Sequence, residues 1–309
     1  MSFMVEAVNL TKVYSGNRVV DNLNLQIEEG QLFGFLGPNG AGKTTTILML
    51  LGLAEPTSGT ANIGGFNSTR NPLKVKRITG YVPEKVGFYE DLTATHNLLY
   101  TANLNGIWDR KADQVTAEAL EIVGLKDKAN SPVSSFSKGM KQRLAIADVL
   151  VKKPRVAILD EPTSGIDPAG IEQMLDLISR VAKENNMTII MSSHQLNQVE
   201  RICTHVAIMS KGKLLRQGSL AQLGKMAGGG KVNIEIQLAE ITQEIIEGIR
   251  GVVGVLSVER SGDKLVVICN EDLRRQISRA IQDKGGLVVQ MNQQSYSLEE
   301  IYLKYFKEG

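Results

Sequence analysis

A glycine-rich run near the start of the chain has the residue types and spacing of a phosphate-binding loop. It comprises Gly37, Pro38, Asn39, Gly40, Ala41 and Gly42, followed by Lys43, Thr44 and Thr45. The apolar run 31–36 before it favours a strand, and residues 44–52 after it favour a helix, which is the context that this motif needs. Glycines let successive backbone N–H groups point at phosphate oxygens, and the helix N-terminus adds a favourable dipole. We therefore expect Lys43 to reach the β- and γ-phosphates of a nucleotide and the Thr44 hydroxyl to bind Mg²⁺.

Two adjacent carboxylates end a second apolar run. Residues 156–159 are typical of a buried parallel strand, and Asp160 and Glu161 follow directly. Because side chains alternate in direction along a strand, we expect Asp160 to hold Mg²⁺ and Glu161 to act as general base on an attacking water. A solvated strand end is the alternative, but the phosphate loop upstream favours a site. Asp160 follows Lys43 by 117 residues, which predicts an inserted, mostly helical subdomain at about 85–150.

Between these motifs lies a third one that is typical of a single family. Residues 136–143 are similar to the signature LSGGQ-xQR, which they match at Ser137, Gly139, Gln142 and Arg143. Further on, the sequences Ser164-Gly165-Ile166-Asp167 and Ser192-Ser193-His194 resemble the D-loop and the switch histidine of the same family. On these motifs, the chain resembles the ATP-binding subunit of an ABC transporter over roughly residues 5–224.

The resemblance implies a fold, two cofactors and a set of site residues. The fold is α/β, a P-loop NTPase core of ABC type with an inserted helical subdomain, and the cofactors are ATP and Mg²⁺. Two such domains pair head to tail in this family. The signature residues facing the ATP of the opposite domain would be Ser137, Lys138, Gly139 and Met140, with Asp167 of the D-loop nearby. Tyr14 would stack on the adenine, and His194 would be the switch histidine of the catalytic site.

The chain also departs from the family pattern. Phe136, Lys138 and Met140 replace usual signature residues, and Lys138 either adds a cation beside the nucleotide or points to solvent. Glu84 stands where the family has a glutamine that touches both Mg²⁺ and the attacking water. A carboxylate is a good Mg²⁺ ligand, although its charge faces the γ-phosphate; the alternative is a solvated loop charge. Similar Pro-Glu pairs occur in the exporter-like branch, which resembles multidrug, antibiotic and lipid export ATPases.

The function that the resemblance implies is ATP hydrolysis driving a separate membrane-spanning permease subunit, for export. The ATPase partner would be a second copy of the chain or a paralogous ATPase, no nucleic acid is expected, and the chain would lie peripherally on the cytoplasmic face of the cell membrane. Residues 86–89 are expected to line the groove that receives a permease helix, with internal packing as the alternative. A soluble ABC-family ATPase acting on the ribosome or nucleic acid is the alternative function. A P-loop kinase or GTPase is the least favoured alternative function, because nothing in such a protein accounts for the signature.

Composition is compatible with this interpretation. The 309 residues include 35 Lys and Arg against 33 Asp and Glu, which disfavours a protein that wraps a polyanion. Two cysteines cannot form a disulfide framework or a four-ligand zinc site. We also expect no membrane span and no signal peptide, because apolar runs are short and the start lacks a basic, apolar leader.

The element pattern predicts two domains. Strands alternating with helices indicate a mainly parallel sheet in an ATP-binding domain over residues 1–227. Gly228, Gly229 and Gly230 mark a linker, and residues 228–309 alternate as β-α-β-β-α-β, the ferredoxin-like order, before a final amphipathic helix. We expect a structural role for this smaller α+β domain, with its final helix docked on the ATP-binding domain or on a second protomer. A small-molecule sensor is the alternative.

Overall fold

The computed structural model describes residues 3–294 and 297–307. Its contacts divide the chain into two compact units, one ending at Gly218 and one beginning at Ser219. The predicted boundary at Gly228 lies further along the chain. The two boundaries differ by one helix, which the contacts place in the second unit.

The first unit contains ten strands and seven α-helices among the described residues. The strands are β1 (Val5–Tyr14), β2 (Asn17–Ile27), β3 (Leu32–Leu36), β4 (Ser58–Ile63), β5 (Phe66–Asn67), β6 (Thr79–Val82), β7 (Val156–Asp160), β8 (Thr188–Ser193), β9 (His205–Ser210) and β10 (Lys213–Ser219), the last of which runs into the unit boundary. The helices are α1 (Lys43–Leu50), α2 (Pro72–Ile78), α3 (Ala94–Leu104), α4 (Asp109–Ile122), α5 (Lys138–Val151), α6 (Pro168–Glu184) and α7 (Leu196–Ile202).

A six-stranded sheet in the order β10-β9-β3-β8-β7-β6 positions the functional residues. Neighbours from β9 to β6 pair in parallel, and every residue of β3 and β7 is buried, as expected for strands covered on both faces. Parallel strands end at the same edge of a sheet, where ligands bind in such folds. The register places Asp160 beside Ser192 and Leu36 beside Ser193, so the loops that follow β3, β7 and β8 meet at one edge.

Two further layers complete the unit. The sheet β2-β1-β4-β5 is antiparallel, and its apolar residues share a core with β3, α1 and β7. Between β6 and β7, helices α3, α4 and α5 pack on one another, which is the arrangement expected of the inserted helical subdomain. Their apolar faces bury Leu98, Leu120 and Leu144. No described helix is both long enough and apolar enough to cross a bilayer.

The second unit has the predicted ferredoxin-like element order. Its elements are α8 (Leu220–Ala227), β11 (Val232–Leu238), α9 (Gln243–Arg250), β12 (Val255–Ser261), β13 (Lys264–Cys269), α10 (Arg274–Asp283), β14 (Val288–Gln294) and α11 (Leu298–Lys307). The strands form the antiparallel sheet β12-β13-β11-β14. One of its faces packs on α9 and α10 through residues that include Ile236, Val267, Ile245 and Ile277.

The final helix explains why the unit begins at Ser219. In α11, Leu298, Ile301 and Tyr305 are buried, and the helix packs against α8. Lys304 Nζ also donates a hydrogen bond to the Ala227 carbonyl oxygen. The contacts therefore group α8 with the smaller unit, whereas the glycine run had assigned α8 to the ATP-binding domain. The side chain of Phe306, counted in the predicted apolar stripe, lies outside the described residues.

Candidate active site

The glycine-rich run forms the turn that connects β3 with α1. Gly42 has a φ of 98°, and a Cβ at this position would lie 2.7 Å from the Val19 carbonyl oxygen, so the turn requires a glycine on both counts. Lys43 starts α1 and is only 6% exposed. Its Nζ donates to the carbonyl oxygens of Gly37 at 2.6 Å and Pro38 at 3.3 Å. The lysine is thus held at the centre of the loop.

Carboxylates surround this buried ammonium group. Burial lowers the pKa of Lys43, and the negative charges of Glu161, Asp160 and Glu84 oppose that shift. The closest of them is Glu161, whose Oε1 lies 3.9 Å from Lys43 Nζ. A buried cation is stabilised by opposite charges nearby, so these four side chains form one electrostatic unit.

Asp160 ends β7 and presents both carboxylate oxygens to neighbouring hydroxyl groups. Thr44 Oγ1 donates to Asp160 Oδ2 at 2.9 Å, and Ser192 Oγ on β8 donates to Asp160 Oδ1. Asp160 is 3% exposed, so these bonds fix its orientation. Thr44 and Asp160 therefore offer two adjacent hard oxygen ligands, the type that Mg²⁺ prefers. Across residues 3–294 and 297–307, no group of three or more His, Cys, Asp or Glu could hold a metal ion, so Mg²⁺ here would need nucleotide oxygens and water as well.

Glu161 follows β7 and turns its side chain toward the phosphate loop. Its φ of 49° is uncommon for a residue other than glycine, and its N–H donates to Ser192 Oγ at 3.0 Å. Glu161 Oε2 lies 2.9 Å from His194 Nδ1. Glu161 Oε1, by contrast, is buried and accepts no hydrogen bond from the described residues. A buried acceptor without a donor is costly, which makes this oxygen the natural place for a bound water or substrate group.

The phosphate loop and the carboxylates enclose one cavity of about 280 Å³. It is lined by Val19, Asn39, Gly40, Ala41, Gly42, Lys43, Thr44, Thr45, Glu84, Asp160 and Glu161. Glu84 therefore faces the cavity, although its side chain is exposed. On the strand leading to Glu84, burial and the charge of Asp160 raise the pKa of Tyr81 to about 12.

Some predicted site residues lie elsewhere. Tyr14 ends β1, is 46% exposed and does not line the cavity; Lys12 Nζ lies 4.8 Å from the centre of its ring. The signature residues and Asp167 are also absent from the lining. Ser137 caps α5 by accepting a hydrogen bond from the Met140 N–H at 3.3 Å, and Asp167 caps α6 in the same manner. Lys138 is exposed, but the end of its side chain lies across Gly165.

Sequence reasoning missed the role of Ser192. Its hydroxyl bridges Asp160 and the backbone N–H of Glu161. The sequence motif indicated Ser192 only as part of the run before His194. The available signal was its position at the end of an apolar strand. Only the parallel register of β7 and β8 shows which residue lies opposite.

Comparisons with known proteins identify the family. A family model described as ABC transporter matches residues 20–164. The bacitracin transport ATP-binding protein BcrA of Bacillus licheniformis is 45% identical over 80% of this chain and 78% of its own length. The daunorubicin/doxorubicin resistance ATP-binding protein DrrA of Streptomyces peucetius is 31% identical over 97% of this chain and 91% of its own length. A dimeric ATP-binding cassette solved with ADP and Pi has a TM-score of 0.64 and 25% identity, covering 70% of this chain and 98% of that one.

These similarities, together with the phosphate loop and the carboxylates of β7, define a class of protein. The chain belongs to the ATP-binding subunits of ABC transporters, and it is an ATPase. The predicted family and the predicted fold class are both confirmed.

Proposed function

We propose that this chain hydrolyses Mg²⁺-bound ATP with Glu161 as the general base. The observation that carries the proposal is the buried Oε1 of Glu161 in the cavity, which lies 3.9 Å from Lys43 Nζ and accepts no hydrogen bond from the described residues. A water held there would give its proton to Oε1 as its oxygen attacks the γ-phosphate. His194, at the other carboxylate oxygen, holds the Glu161 side chain in place.

The rest of the cavity binds and orients the nucleotide. The backbone N–H groups of the phosphate loop and the N-terminus of α1 would receive the phosphates, with Lys43 reaching their oxygens. Thr44 and Asp160 fit a Mg²⁺ ion, which when bound would offset the negative charge of the phosphates. Glu84 adds a third carboxylate at the mouth of the cavity and would join in positioning the metal or the water.

A second protomer would complete the site. Within one chain, Ser137, Gly139 and Met140 lie outside the cavity although they belong to the signature. The N-terminus of α5 would meet a phosphate of a second copy or of a paralogous ATPase, because a helix N-terminus favours a negative charge. Tyr14 would stack on the adenine at the edge of the site once Lys12 moves from its ring.

The decisive experiment replaces Glu161 by glutamine. The amide cannot accept the proton of the water, so we expect ATP turnover to fall by about 10² to 10⁴ while ATP binding is retained. Glu121→Gln, on the exposed face of α4, is the matched control and should hydrolyse ATP as the parent does. Steady-state hydrolysis by Glu161→Gln at the parent rate would refute the assignment.

The metal ligands can be tested separately. Thr44→Val removes the hydroxyl and Thr44→Ser keeps it. We expect Thr44→Val to raise the Mg²⁺ concentration needed for half-maximal ATP binding by about tenfold and Thr44→Ser to leave it close to the parent value. Equal Mg²⁺ requirements in both variants would show that Thr44 does not bind the metal.

We further propose that the chain drives a separate transmembrane subunit for export and lies peripherally on the cytoplasmic face of the membrane. The relatives described above are named for antibiotic transport or drug resistance, which favours this function over that of a soluble ABC-family ATPase acting on the ribosome or nucleic acid. A cavity of about 230 Å³ between the helical subdomain and the sheet would receive side chains from a helix of that subunit. Its lining includes Leu53, which is 51% exposed, Thr101 and Asn105.

Residues 86–89 do not line this cavity. Tyr89 packs edge to face on Tyr100 at 5.3 Å and its N–H donates to Asn97 Oδ1, but its side chain is 56% exposed, so this residue is held within the chain and also open to a partner. The docking proposal rests on the cavity around Leu53.

Leu53→Arg tests the docking site. In membranes that contain the transmembrane subunit, we expect this variant to leave the membrane fraction while it binds ATP as the parent does. Val8→Arg, which changes an exposed residue of β1 away from this cavity, should stay with the membranes. Retention of Leu53→Arg to the same extent as Val8→Arg would contradict the proposed surface.

A further inference from the structure

The lysine of the signature lies against the D-loop of its own chain. A Cβ added at Gly165 would collide with Lys138 Nζ and would lie 3.2 Å from Cε and 3.3 Å from Cδ. Gly165 has a φ of 68°, in the region that favours glycine. The lysine therefore occupies a space that exists because residue 165 has no side chain.

A second contact joins the same two segments. Ile166 Cγ2 lies 3.6 Å from the position that a Cβ of Gly139 would occupy. Two consecutive residues of the signature, Lys138 and Gly139, thus meet two consecutive residues of the D-loop, Gly165 and Ile166. The first turn of α5 and the D-loop are packed together within one chain.

Short hydrogen-bonded turns connect the D-loop to Glu161. The Ser164 N–H donates to the Glu161 carbonyl oxygen at 3.0 Å, and the Ile166 N–H donates to the Thr163 carbonyl oxygen at 3.3 Å. Asp167 then starts α6 as its N-cap. Since both ends of the segment are held, a contact at Gly165 constrains the backbone that orients the Glu161 carboxylate.

Local electrostatics does not explain the lysine. Lys138 is the first residue of α5, where the helix dipole disfavours a positive charge, and no acidic residue lies in that turn. Within the described part of the chain, Lys138 has no salt bridge with a carboxylate. What remains is the packing of its long side chain on Gly165.

We propose that Lys138 is a positioning residue for ATP hydrolysis. It holds the D-loop against the helical subdomain, and through the D-loop it fixes the orientation of Glu161. The inference rests on the proposed role of Glu161 as general base. It predicts that a change in the position of α5 is transmitted to that carboxylate inside the same protomer.

The test measures ATP turnover and ATP affinity of the full chain in five variants. Lys138→Ala removes the contact from one side. Gly165→Ala removes it from the other, because the flexible end of the lysine must move away from the new Cβ. Alanine also strains the backbone at this φ of 68°, and the double variant carries the same strain, so the comparison of Gly165→Ala with the double variant isolates the contact. The third variant combines both changes, and the fourth, Lys138→Met, keeps a long side chain without the charge. Lys128→Ala, an exposed lysine of the same subdomain, is the matched control.

We expect Lys138→Ala and Gly165→Ala each to lower kcat by about fivefold with KM for ATP little changed, since an interaction that orients a catalytic group affects turnover more than binding. The double variant should be no slower than the slower single variant, because both remove one contact. Lys138→Met should retain more of the parent kcat than Lys138→Ala does, because its long side chain still packs on Gly165, and the control Lys128→Ala should match the parent.

Three results would overturn the inference. They are parent-like kcat in Lys138→Ala, multiplication of the two single effects in the double variant, and a Lys138→Met variant as slow as Lys138→Ala, which would show that the charge acts and not the packing. Failure of the general-base assignment is seen separately, as turnover by Glu161→Gln.

Discussion

The nucleotide cavity buries charged side chains, whereas the described charged side chains of the ferredoxin-like unit lie on its surface. In the cavity, Lys43 and Asp160 are almost fully buried, and Glu161 has a buried oxygen without a hydrogen-bond donor. In the smaller unit, none of the described buried side chains carries a charge, and charged residues such as Asp272 and Arg274 pair on the surface.

Burying a charge costs free energy unless partners compensate it. Among the described residues of the first unit, the charged side chains that are almost fully buried, Lys43 and Asp160, lie in the cavity, where they can act on a bound nucleotide. The second unit gains its stability from apolar packing and has no comparable cluster among its described residues. The difference supports chemistry in the first unit and a structural role in the second, which stays a prediction.

The largest effect is expected from Lys43→Ala, which changes the buried charges of the nucleotide cavity. It removes the ammonium group that faces the phosphates and leaves Glu161, Asp160 and Glu84 without their cation. Losing one partner of a buried charge pair is costly, so we expect ATP affinity to fall by about 10²- to 10³-fold. Binding of a fluorescent ATP analogue measures it, with exposed Lys211→Ala as control. Parent-like affinity would show that the buried charge is structural.

Ile236→Ala tests the apolar core of the smaller unit. Ile236 is buried between the sheet and the helices of the smaller unit, so its truncation should lower the free energy of unfolding of that unit by about 3 kcal/mol. ATP binding should be unchanged. Chemical denaturation measures the loss, and Ile268→Ala, on the partly exposed face of β13, should lose less than half as much. Equal losses would mean that the second face is also part of a core.

Removing residues 219–309 tests whether the smaller unit is dispensable for chemistry. The first unit is compact by itself, and we expect its ATP affinity to stay within about twofold of the parent. Dimers should dissociate about tenfold more readily, since one of two linked contacts is lost. Sedimentation of the nucleotide-free protein measures this. Unchanged dimerisation, with activity that no longer responds to an added metabolite, would favour the sensor alternative.

Asp272→Asn should have the smallest effect. The hydrogen bond with Arg274 lowers the pKa of Asp272 from its ordinary value of 3.8, so the pair stabilises the fold above that pH and ceases to do so as pH falls through the lowered pKa. Because the pair is exposed, the variant should melt no more than about 2 °C below the parent at pH 7. Melting curves at pH 7, 5 and 3 should show the gap closing on acidification, and a widening gap would contradict the assignment.

Local patterns predicted the elements with strong periodicity and missed the others. Apolar runs and glycines indicated β3, α1 and β7, and the alternation after Gly230 indicated the ferredoxin-like order. Helix α2 was not predicted, since only Val75 of its seven residues is buried, and α3 was predicted only as part of the inserted helical subdomain. The contacts group α8 with the smaller unit, which local patterns did not indicate because its partner α11 lies far along the chain.

The sequence by itself determined which groups are available for chemistry. Short-range motifs specify the phosphate loop, the two carboxylates and the signature, because each depends on residues a few positions apart. Only the tertiary structure decided how those groups meet. The β7–β8 register brings Ser192 to Asp160, the approach of α1 and β8 leaves Glu161 between Lys43 and His194, and the D-loop turn brings Gly165 under Lys138. These pairs are separated by tens of residues to more than a hundred, and only the packing of the sheet and its helices fixes the distances between them.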